Sequence, residues 1–432
     1  MRPTSIKSVV VGFAVLALLA AACGSDETAV DSDPDTGAPP ATLADPDTTA
    51  EPAGGAVDPA ATERVDVAEA LNRVGWDLWA NHLSDDANAV ISPSSIGHTL
   101  LMARDAGDGA TVAAIDQALG FPEGLAAHEQ WKAIDDALRA AADAEDELTV
   151  TLANRIWPRL GAEPDPTWVD LLRDDHRSDV EPLDFAGDAD GSRGTINGWV
   201  DDQTEGLIPE LLPEGFITGD LVLVLTDALY FKAPWAVPFG KYGPVDGPFT
   251  RLDGSTVDVE FMQELELESA RGTGEGYVGA EIPYAGGEYS MLVVVPDEGR
   301  FAEIRDRLGD DLLVEIDEGF TIGPFELLLP PWDDTTEQLD LLPWLESIGA
   351  APGSYPGISP DAFLGAAVHG ADITVDEWGT VAAAATAFGF LESGSDTPDL
   401  TVAADQPFLY LIRHVDSGLL LFLGQVTDPK SG

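Results

Sequence analysis

The sequence predicts an α+β fold in one large domain, with helices first and mostly antiparallel strands afterwards. Apolar residues recur at helical spacing in the first part of the folded region, which begins near Glu63. Apolar runs of strand length dominate the chain after about residue 185. Helices that precede the strands, rather than alternating with them, are typical of α+β domains.

The helical part is predicted from the spacing of its apolar side chains. Val67, Leu71, Val74 and Leu78 fall three or four residues apart and therefore define one buried face of a helix. Further helical segments are expected through roughly residue 185, including the amphipathic pattern around 131–141.

The strand-rich part contains several short apolar runs. Residues 221–231 and 289–296 are long enough for buried strands and too short for typical helices. Near the carboxyl terminus, 407–414 and 419–426 flank the turn-rich link 415–418, which predicts a hairpin.

The amino terminus has the pattern of an export signal. Arg2 and Lys7 precede an apolar run that ends at Cys23. The run is short for a membrane-spanning helix and is followed by acidic residues, so we expect a cleaved signal over 1–22. The letters LAAAC resemble a bacterial lipobox, which predicts lipidation of Cys23 and a location on the outer face of the cell membrane. The alternative is an ordinary cleaved signal and a secreted protein.

The next segment, 23–61, is rich in Asp, Pro, Thr, Ala and Gly and has almost no large apolar residue. Such a composition buries too little surface to fold, which predicts a disordered tether ahead of a folded domain over 62–432. Cys23 is the only cysteine, so the domain contains no internal disulfide and depends on its core.

The charge of the chain excludes some partners. It has 21 basic and 78 acidic residues and a formal net charge of −57. This charge repels nucleic acid and anionic lipid headgroups, so no nucleic-acid partner is expected, and membrane attachment is expected only through a lipid anchor.

The sequence offers little support for catalysis. It lacks the common nucleophile, zinc-protease, phosphate-loop and paired-cysteine motifs. None of its six histidines stands at metal-ligand spacing with another, so we predict no metal site, no cofactor and no enzymatic activity. A hydrolase with an unrecognised Ser/His/Asp set is the remaining catalytic alternative.

Several segments, in chain order, resemble the serpin family of protease inhibitors. Each match is short, but together they cover roughly 63–430. The segments are 88–103 (NAVISPSSIGHTLLMA), 195–208 (TINGWVDDQTEGLI), 223–235 (LVLTDALYFKAPW), 367–387 (AVHGADITVDEWGTVAAAATA) and the carboxyl-terminal QPFLYLIRH and LFLGQVTDP.

The resemblance implies a monomer with helices packed on three mostly antiparallel sheets and an exposed reactive loop. It also implies an irreversible suicide-substrate inhibitor, which forms a covalent complex with its target serine protease. In that mechanism the cleaved loop inserts as a new central strand before the acyl-enzyme is hydrolysed. About fourteen residues at roughly 3.3 Å each give a strand near 45 Å long, which carries the bound protease far from its starting point. The alternative is a non-inhibitory serpin that acts as a binding or protease-substrate module.

The stretch EWGTVAAAATAFGF (377–390) matches the loop hinge of that family. By composition alone, an alanine-rich run predicts a buried helix or a linker. As a strand inserted later, its alternate residues would face the core, where an unpaired charge is costly, and the run is uncharged from Thr380 to Leu391. The resemblance assigns to the hinge Glu377, Gly379, Thr380, Ala382, Ala383, Ala384, Ala385 and Thr386.

The resemblance also places the bond that a protease would cut. Counting sixteen residues on from Glu377 gives Ser393, so the expected bond is Ser393–Gly394. A small residue before the bond suits an elastase-like or subtilisin-like protease. Cleavage after Phe390 or Leu391 is the alternative, which would suit chymotrypsin-like enzymes.

Other residues match positions where the family's central sheet opens. Ser92, Ser95, Asp227 and His369 correspond to the shutter, which parts to admit the loop, and Trp235 corresponds to the breach, where the loop enters. Asp227 stands in place of the usual Asn. A carboxylate that faces the His369 imidazole would favour its protonated form, which predicts that loop insertion depends on pH. The alternative is a satisfied buried histidine; in both cases His369 is structural.

Overall fold

A computed structural model describes residues 67–121, 127–145, 147–380 and 398–431. The expected export signal and tether, including Cys23, lie outside the described residues. So do the predicted hinge residues after Thr380 and both candidate cleavage sites.

The described helices lie mainly in the first half of the domain. All four residues of the predicted apolar face of the first helix are buried, which confirms that helix. The second helix begins with Pro93 and is capped by Ser92, whose hydroxyl accepts a hydrogen bond from the Ser95 N–H. The helices are α1 (Val67–His82), α2 (Pro93–Arg104), α3 (Gly109–Leu119), α4 (His128–Ala144), α5 (Pro166–Asp175), α6 (Ala189–Gln203), α7 (Phe301–Arg307), α8 (Asp310–Gly319) and α9 (Leu342–Ser347).

The described strands lie mainly in the second half. Two of the strand pairs are parallel, β2 with β3 and β9 with β13, and the others are antiparallel. The strands are β1 (Ala89–Ile91), β2 (Thr149–Pro158), β3 (Asp179–Val180), β4 (Leu223–Pro234), β5 (Val245–Thr250), β6 (Thr256–Gly274), β7 (Tyr277–Pro283), β8 (Tyr289–Pro296), β9 (Thr321–Leu329), β10 (Trp332–Asp340), β11 (Val368–Val375), β12 (Gly379–Thr380), β13 (Thr401–Ala403), β14 (Phe408–His414) and β15 (Leu420–Val426).

The strands form one six-stranded sheet and a larger group of nine strands. The six-stranded sheet has the order β10-β11-β12-β4-β2-β3. In the larger group, the long strand β6 pairs with β5, β9 and β7 along successive parts of its 19 residues. The three expected sheets are therefore present, but two of them are continuous because they share β6.

Strands β4 and β2 of the six-stranded sheet are covered on both faces. Helix α2 packs against β4 on one side and contacts β15 as well, within the main core. Helix α6 also contacts β4, and its Ile196 and Val200 share a second apolar cluster with Trp157 of β2 and Val224 of β4. Because helices cover both faces, a chain that joins this sheet is buried on both sides.

The predicted strands at 221–231, 289–296, 407–414 and 419–426 are confirmed as β4, β8, β14 and β15. The last two form the expected antiparallel hairpin. The expectation of helices through residue 185 is wrong for β2, a ten-residue strand in the middle of that region. Both faces of β2 are largely buried, so its sequence lacks the alternation of a half-exposed strand. Within the described ranges, no helix has both the length and the apolar character needed to span a bilayer.

Candidate functional site: the slot between β4 and β11

The start of the predicted hinge already lies in the six-stranded sheet. Gly379 and Thr380 form β12, which pairs with both neighbouring strands. Thr380 is opposite Ala233 of β4 on one side and Val375 of β11 on the other. Thr380 is 1% exposed, as expected for an inward-facing hinge residue. The first residues of the predicted hinge are therefore part of this sheet.

Trp235, the predicted breach residue, anchors this start of the hinge. Its indole N–H donates to the Asp376 carbonyl oxygen at 2.9 Å, and its backbone N–H donates to the Trp378 carbonyl oxygen. The indole ring stacks on Tyr284, with centroids 4.6 Å apart. The Tyr284 hydroxyl lies 2.6 Å from Thr380 Oγ1, so both polar groups are paired in the core. Trp235 is a packing residue with a polar anchor, at the point where the hinge enters the sheet.

The turn before β12 is made by a residue that the sequence did not single out. Asp376 Oδ1 accepts hydrogen bonds from the Trp378 and Gly379 backbone N–H groups, at 2.8 and 3.2 Å. Burial raises the pKa of Asp376. The side chain of Glu377 is exposed at this turn, and its carbonyl oxygen accepts the Phe239 N–H. An Asp three residues before a Gly is the local sequence signal for such a turn.

The backbone of β4 leaves no room for a side chain at Gly379. A Cβ at this position would lie 2.7 Å from Pro234 Cα and closer still to the Ala233 carbonyl oxygen. These are backbone atoms of β4, which cannot move aside as a flexible side chain can. The close approach of β12 to β4 therefore depends on glycine.

A cavity of about 520 Å³ lies beyond β12 between β4 and β11. In the part of the chain that the structure describes, β4 and β11 share no ladder of their own; β12 pairs with each of them. Helix α2 lines one side of the cavity, and the segment after α6 lines the other. The structure brings all four predicted shutter residues to this cavity: Ser92, Ser95, Asp227 and His369.

Three of the shutter residues are joined by short hydrogen bonds. The Ser92 backbone N–H donates to His369 Nε2 at 3.1 Å, and the Ser95 N–H donates to Ser92 Oγ at 3.2 Å. Burial lowers the pKa of His369 to about 4, so this ring is neutral at physiological pH. Since Nε2 accepts, the proton of the neutral ring is on Nδ1. His369 is therefore a satisfied structural histidine that ties β11 to the start of α2.

The prediction that the Asp227 carboxylate faces His369 is wrong. Its carboxylate Oδ2 lies 2.6 Å from His98 Nδ1, whereas His369 is bonded to Ser92. His98 Nε2 in turn lies 2.9 Å from His176 Nδ1. His98 comes one helical turn after Ser95 on α2, but this spacing does not indicate which side chain His98 contacts. His176 follows α5 and carried no signal of its contacts either.

This group of histidines is not a metal centre by its geometry. His98 and His176 lie at hydrogen-bond distance from each other and stack, with ring centroids 5.1 Å apart. Among the described residues, no three His, Cys, Asp or Glu side chains are arranged to hold a metal ion.

Comparison with known proteins agrees with the fold. A family model described as Serpin (serine protease inhibitor) matches residues 69–429. Serpin-Z1 of Arabidopsis thaliana is 30% identical over 389 residues, which cover 85% of this chain and 97% of that protein. The leukocyte elastase inhibitor of Bos taurus is 29% identical over 387 residues, which cover 85% and 100%.

A solved structure is similar over the same region. Arabidopsis AtSerpin1 in its native stressed conformation has a TM-score of 0.70 and 26% sequence identity, over 84% of this chain and 98% of that one. The family model covers most of the chain, and the arrangement of helices and sheets agrees with it. The chain therefore belongs to the serpin family.

Proposed function

We propose that this serpin is an irreversible inhibitor of serine proteases, which traps the acyl-enzyme by inserting its cleaved loop between β4 and β11. The observation that carries the proposal is β12. Gly379 and Thr380 already pair with β4, Thr380 also pairs with β11, and the cavity that follows lies between the same two strands. Each further residue that inserts there can pair its backbone N–H and C=O groups with those strands.

The uncharged run after Thr380 suits the slot, which is the cavity between β4 and β11. Residues that enter it are buried on both faces, against α2 on one side and the segment after α6 on the other. An unpaired charge there would be removed from water without compensation. The lack of any charge from Thr380 to Leu391 supports insertion as the reason for this composition.

The chemical step belongs to the protease. Its serine hydroxyl attacks the carbonyl carbon of Ser393, the bond to the Gly394 nitrogen breaks, and the new amine leaves with a proton. An ester then joins Ser393 to the protease. Water would normally hydrolyse this ester, but insertion of the freed loop displaces the protease before deacylation. The serpin contributes the substrate bond and the conformational change, and it needs no catalytic residue of its own.

We infer an elastase-like or subtilisin-like target. The small side chain of Ser393 suits a shallow specificity pocket, and the bovine relative is named for inhibition of leukocyte elastase. Cleavage after Phe390 or Leu391 by a chymotrypsin-like enzyme is the competing assignment. Mass spectrometry of the carboxyl-terminal fragment, separated by denaturation after the reaction, distinguishes these bonds by its first residue.

We further propose that the inhibitor acts outside the cell on a lipid anchor at Cys23. The support is the signal-like amino terminus, which ends in a single cysteine. A Cys23→Ser variant expressed in a bacterial host should move from the membrane fraction to the soluble or secreted fraction. An unchanged distribution would overturn lipidation without affecting inhibition.

The inhibitory function is tested by incubation with elastase and subtilisin, followed by a denaturing gel. We expect a covalent band at the summed mass of both proteins. A cut serpin without that band would assign the chain to the non-inhibitory alternative.

The insertion mechanism is tested with Thr380→Arg. Thr380 is buried against Tyr284, so an arginine there would place an unpaired charge in the core. The variant should be cleaved as a substrate without forming the covalent band. Thr256→Arg, at an exposed position on β6, is the matched control and should inhibit as the parent does. Full inhibition by Thr380→Arg would contradict the mechanism.

A further inference from the structure

A buried polar chain connects the shutter strand β4 to helices α2 and α5. His98 of α2 is fully buried and uses both ring nitrogens, Nδ1 toward Asp227 at 2.6 Å and Nε2 toward His176 at 2.9 Å. The side chain of Asp227 is 1% exposed, and His176 is 2% exposed. Among the described residues, Asp227 Oδ1 and His176 Nε2 have no hydrogen-bond partner. Within the described ranges, the charge partner of this buried carboxylate is a histidine.

Neighbouring elements define the charge environment of these three hydrogen-bonded residues. Trp131 of α4 stacks on the His98 ring, with centroids 3.9 Å apart. His128 of α4 faces His176 edge-on at 6.3 Å, and His128 Nδ1 lies 3.3 Å from Asp105 Oδ2. Asn154 of β2 donates to the His176 carbonyl oxygen. The remaining charged groups nearby are already paired: Arg104 with Asp105 and Asp116, Arg177 with Asp135 and Asp136, and Lys132 with Asp175.

An added proton in this chain belongs on His98. His98 has a carboxylate on one side and the face of the Trp131 ring against it, and both stabilise a cationic imidazole. His176 has neither; burial, with His98 and His128 nearby, lowers its pKa to about 2. Neutral His176 can donate through Nδ1 to a neutral His98, or accept there from a protonated one. The three residues can therefore take up a proton without breaking either of their hydrogen bonds.

The charge state changes how firmly Asp227 is held. With His98 neutral, the Asp227 carboxylate is a buried charge that receives one neutral hydrogen bond. With His98 protonated, it is part of a buried ion pair, and its desolvation is compensated. The contact joins β4 to α2, and it occurs in an arrangement where β4 and β11 pair with β12.

We propose that His98 is a positioning residue for loop insertion: through Asp227 it holds β4 on α2 in the arrangement that admits the loop, and it holds β4 more firmly when protonated. This inference rests on the proposed inhibitory function. The slot should therefore accept a strand faster at mildly acidic pH than at alkaline pH. If a group differs in pKa by one unit between two arrangements of the sheet, the ratio of their populations can change about tenfold with pH.

The link to the slot can be measured without a protease. A synthetic peptide with the sequence TVAAAATAFGF, copied from the hinge, is added to the intact inhibitor, and its incorporation is followed from pH 5 to 8, roughly the range in which histidines titrate. We expect incorporation to slow as the pH rises. Asp227→Asn removes the charge but keeps the shape of the side chain, so the pH dependence should be lost.

Two further variants separate positioning from general stability. His98→Asn places an amide near Nδ1, so it can donate to Asp227 but cannot titrate, and incorporation should remain at the slow, alkaline rate at every pH. His82→Gln changes an exposed histidine at the end of α1 and should leave the profile unchanged. A pH profile for Asp227→Asn that matches the parent would overturn the proposal.

Protonation is tested separately by NMR titration of the intact protein with labelled histidines. The His98 signals, assigned by their absence in His98→Asn, should differ between the parent and Asp227→Asn, because the carboxylate contacts the His98 ring. His98 signals that do not respond to the loss of the carboxylate would overturn the proton step. Incorporation that depends on pH as expected, in a protein that never forms a covalent protease complex, would leave this inference standing and refute the proposed function.

Discussion

The two ends of the slot between β4 and β11 are built from different chemistry. At the breach, Thr380, Tyr284 and Trp235 form a close-packed group in which each polar atom has a neutral partner. At the shutter, the cavity is bordered by Asp227 and His369, and the Asp227 carboxylate contacts His98, which in turn contacts His176. The breach also contains Asp376, whose pKa is raised by burial, whereas the shutter contains the Asp227 carboxyl and the neutral ring of His369. Under the proposed mechanism, insertion starts at the breach and continues past the shutter.

The largest expected effect is at the breach, where packing leaves no room. Gly379→Ala would place a Cβ against the Ala233 carbonyl oxygen and 2.7 Å from Pro234 Cα. Such overpacking costs about 1–3 kcal/mol, and here it opposes the pairing of β12 with β4. We expect loss of the covalent complex and cleavage as a substrate, measured on a denaturing gel and as stoichiometry of inhibition.

Gly240→Ala is the matched control, because a Cβ there meets no atom within 4 Å. If Gly379→Ala inhibits as well as this control, β12 does not need to approach β4 during insertion.

The next effect is expected at the shutter in acid, and it concerns stability rather than inhibition. Burial lowers the pKa of His369 to about 4, while an unfolded histidine has a pKa of about 6.5. As the pH falls from 6.5 to 4, the unfolded state binds more protons than the folded state, so stability falls by about 3 kcal/mol. Protonation also removes the acceptor for the Ser92 N–H.

The measurement is urea unfolding at pH 7 and pH 4.5, for the parent and for His369→Gln. The variant keeps an acceptor but cannot take up the proton, so it should lose much less stability on acidification. Equal losses would mean that His369 is not held neutral by the fold. Acid therefore weakens the contact of His369 with Ser92 at the shutter.

The same contrast explains how much could be predicted from the sequence. The hairpin of β14 and β15 follows from two apolar runs beside a turn-rich link, and β8 from an uninterrupted apolar run. Both signals are local, because burial and turn chemistry act over a few residues. Trp235 and the hinge glycine also matched a pattern, and packing constrains both of them, but their role in insertion stays a prediction.

The shutter was only partly predictable, because its charge pairing joins distant parts of the chain. Asp227 and His98 are 129 residues apart in sequence, and the sequence does not tell which of two histidines a carboxylate on β4 will meet. The resemblance favoured His369 as the partner. In the structure, His369 accepts a hydrogen bond from the Ser92 backbone, and Asp227 contacts His98. The reason is that α2 packs against β4 and brings His98 to Asp227. Strand β2 was missed for another reason: it is buried on both faces and lacks a period of two.

The smallest effect tests whether the breach is one cooperative unit. Tyr284→Phe removes the hydroxyl that lies 2.6 Å from Thr380 Oγ1 but keeps the ring stacked on Trp235. We expect a loss of about 1 kcal/mol in the free energy of unfolding, because the Thr380 hydroxyl is left unpaired in the core. Thr380→Val should cost a similar amount. The double variant should cost less than the sum of the two, since removing both hydroxyls leaves neither unsatisfied. Additive losses in urea unfolding would mean that the two hydroxyls act independently, and that the first hinge residue is held in the sheet by backbone pairing alone.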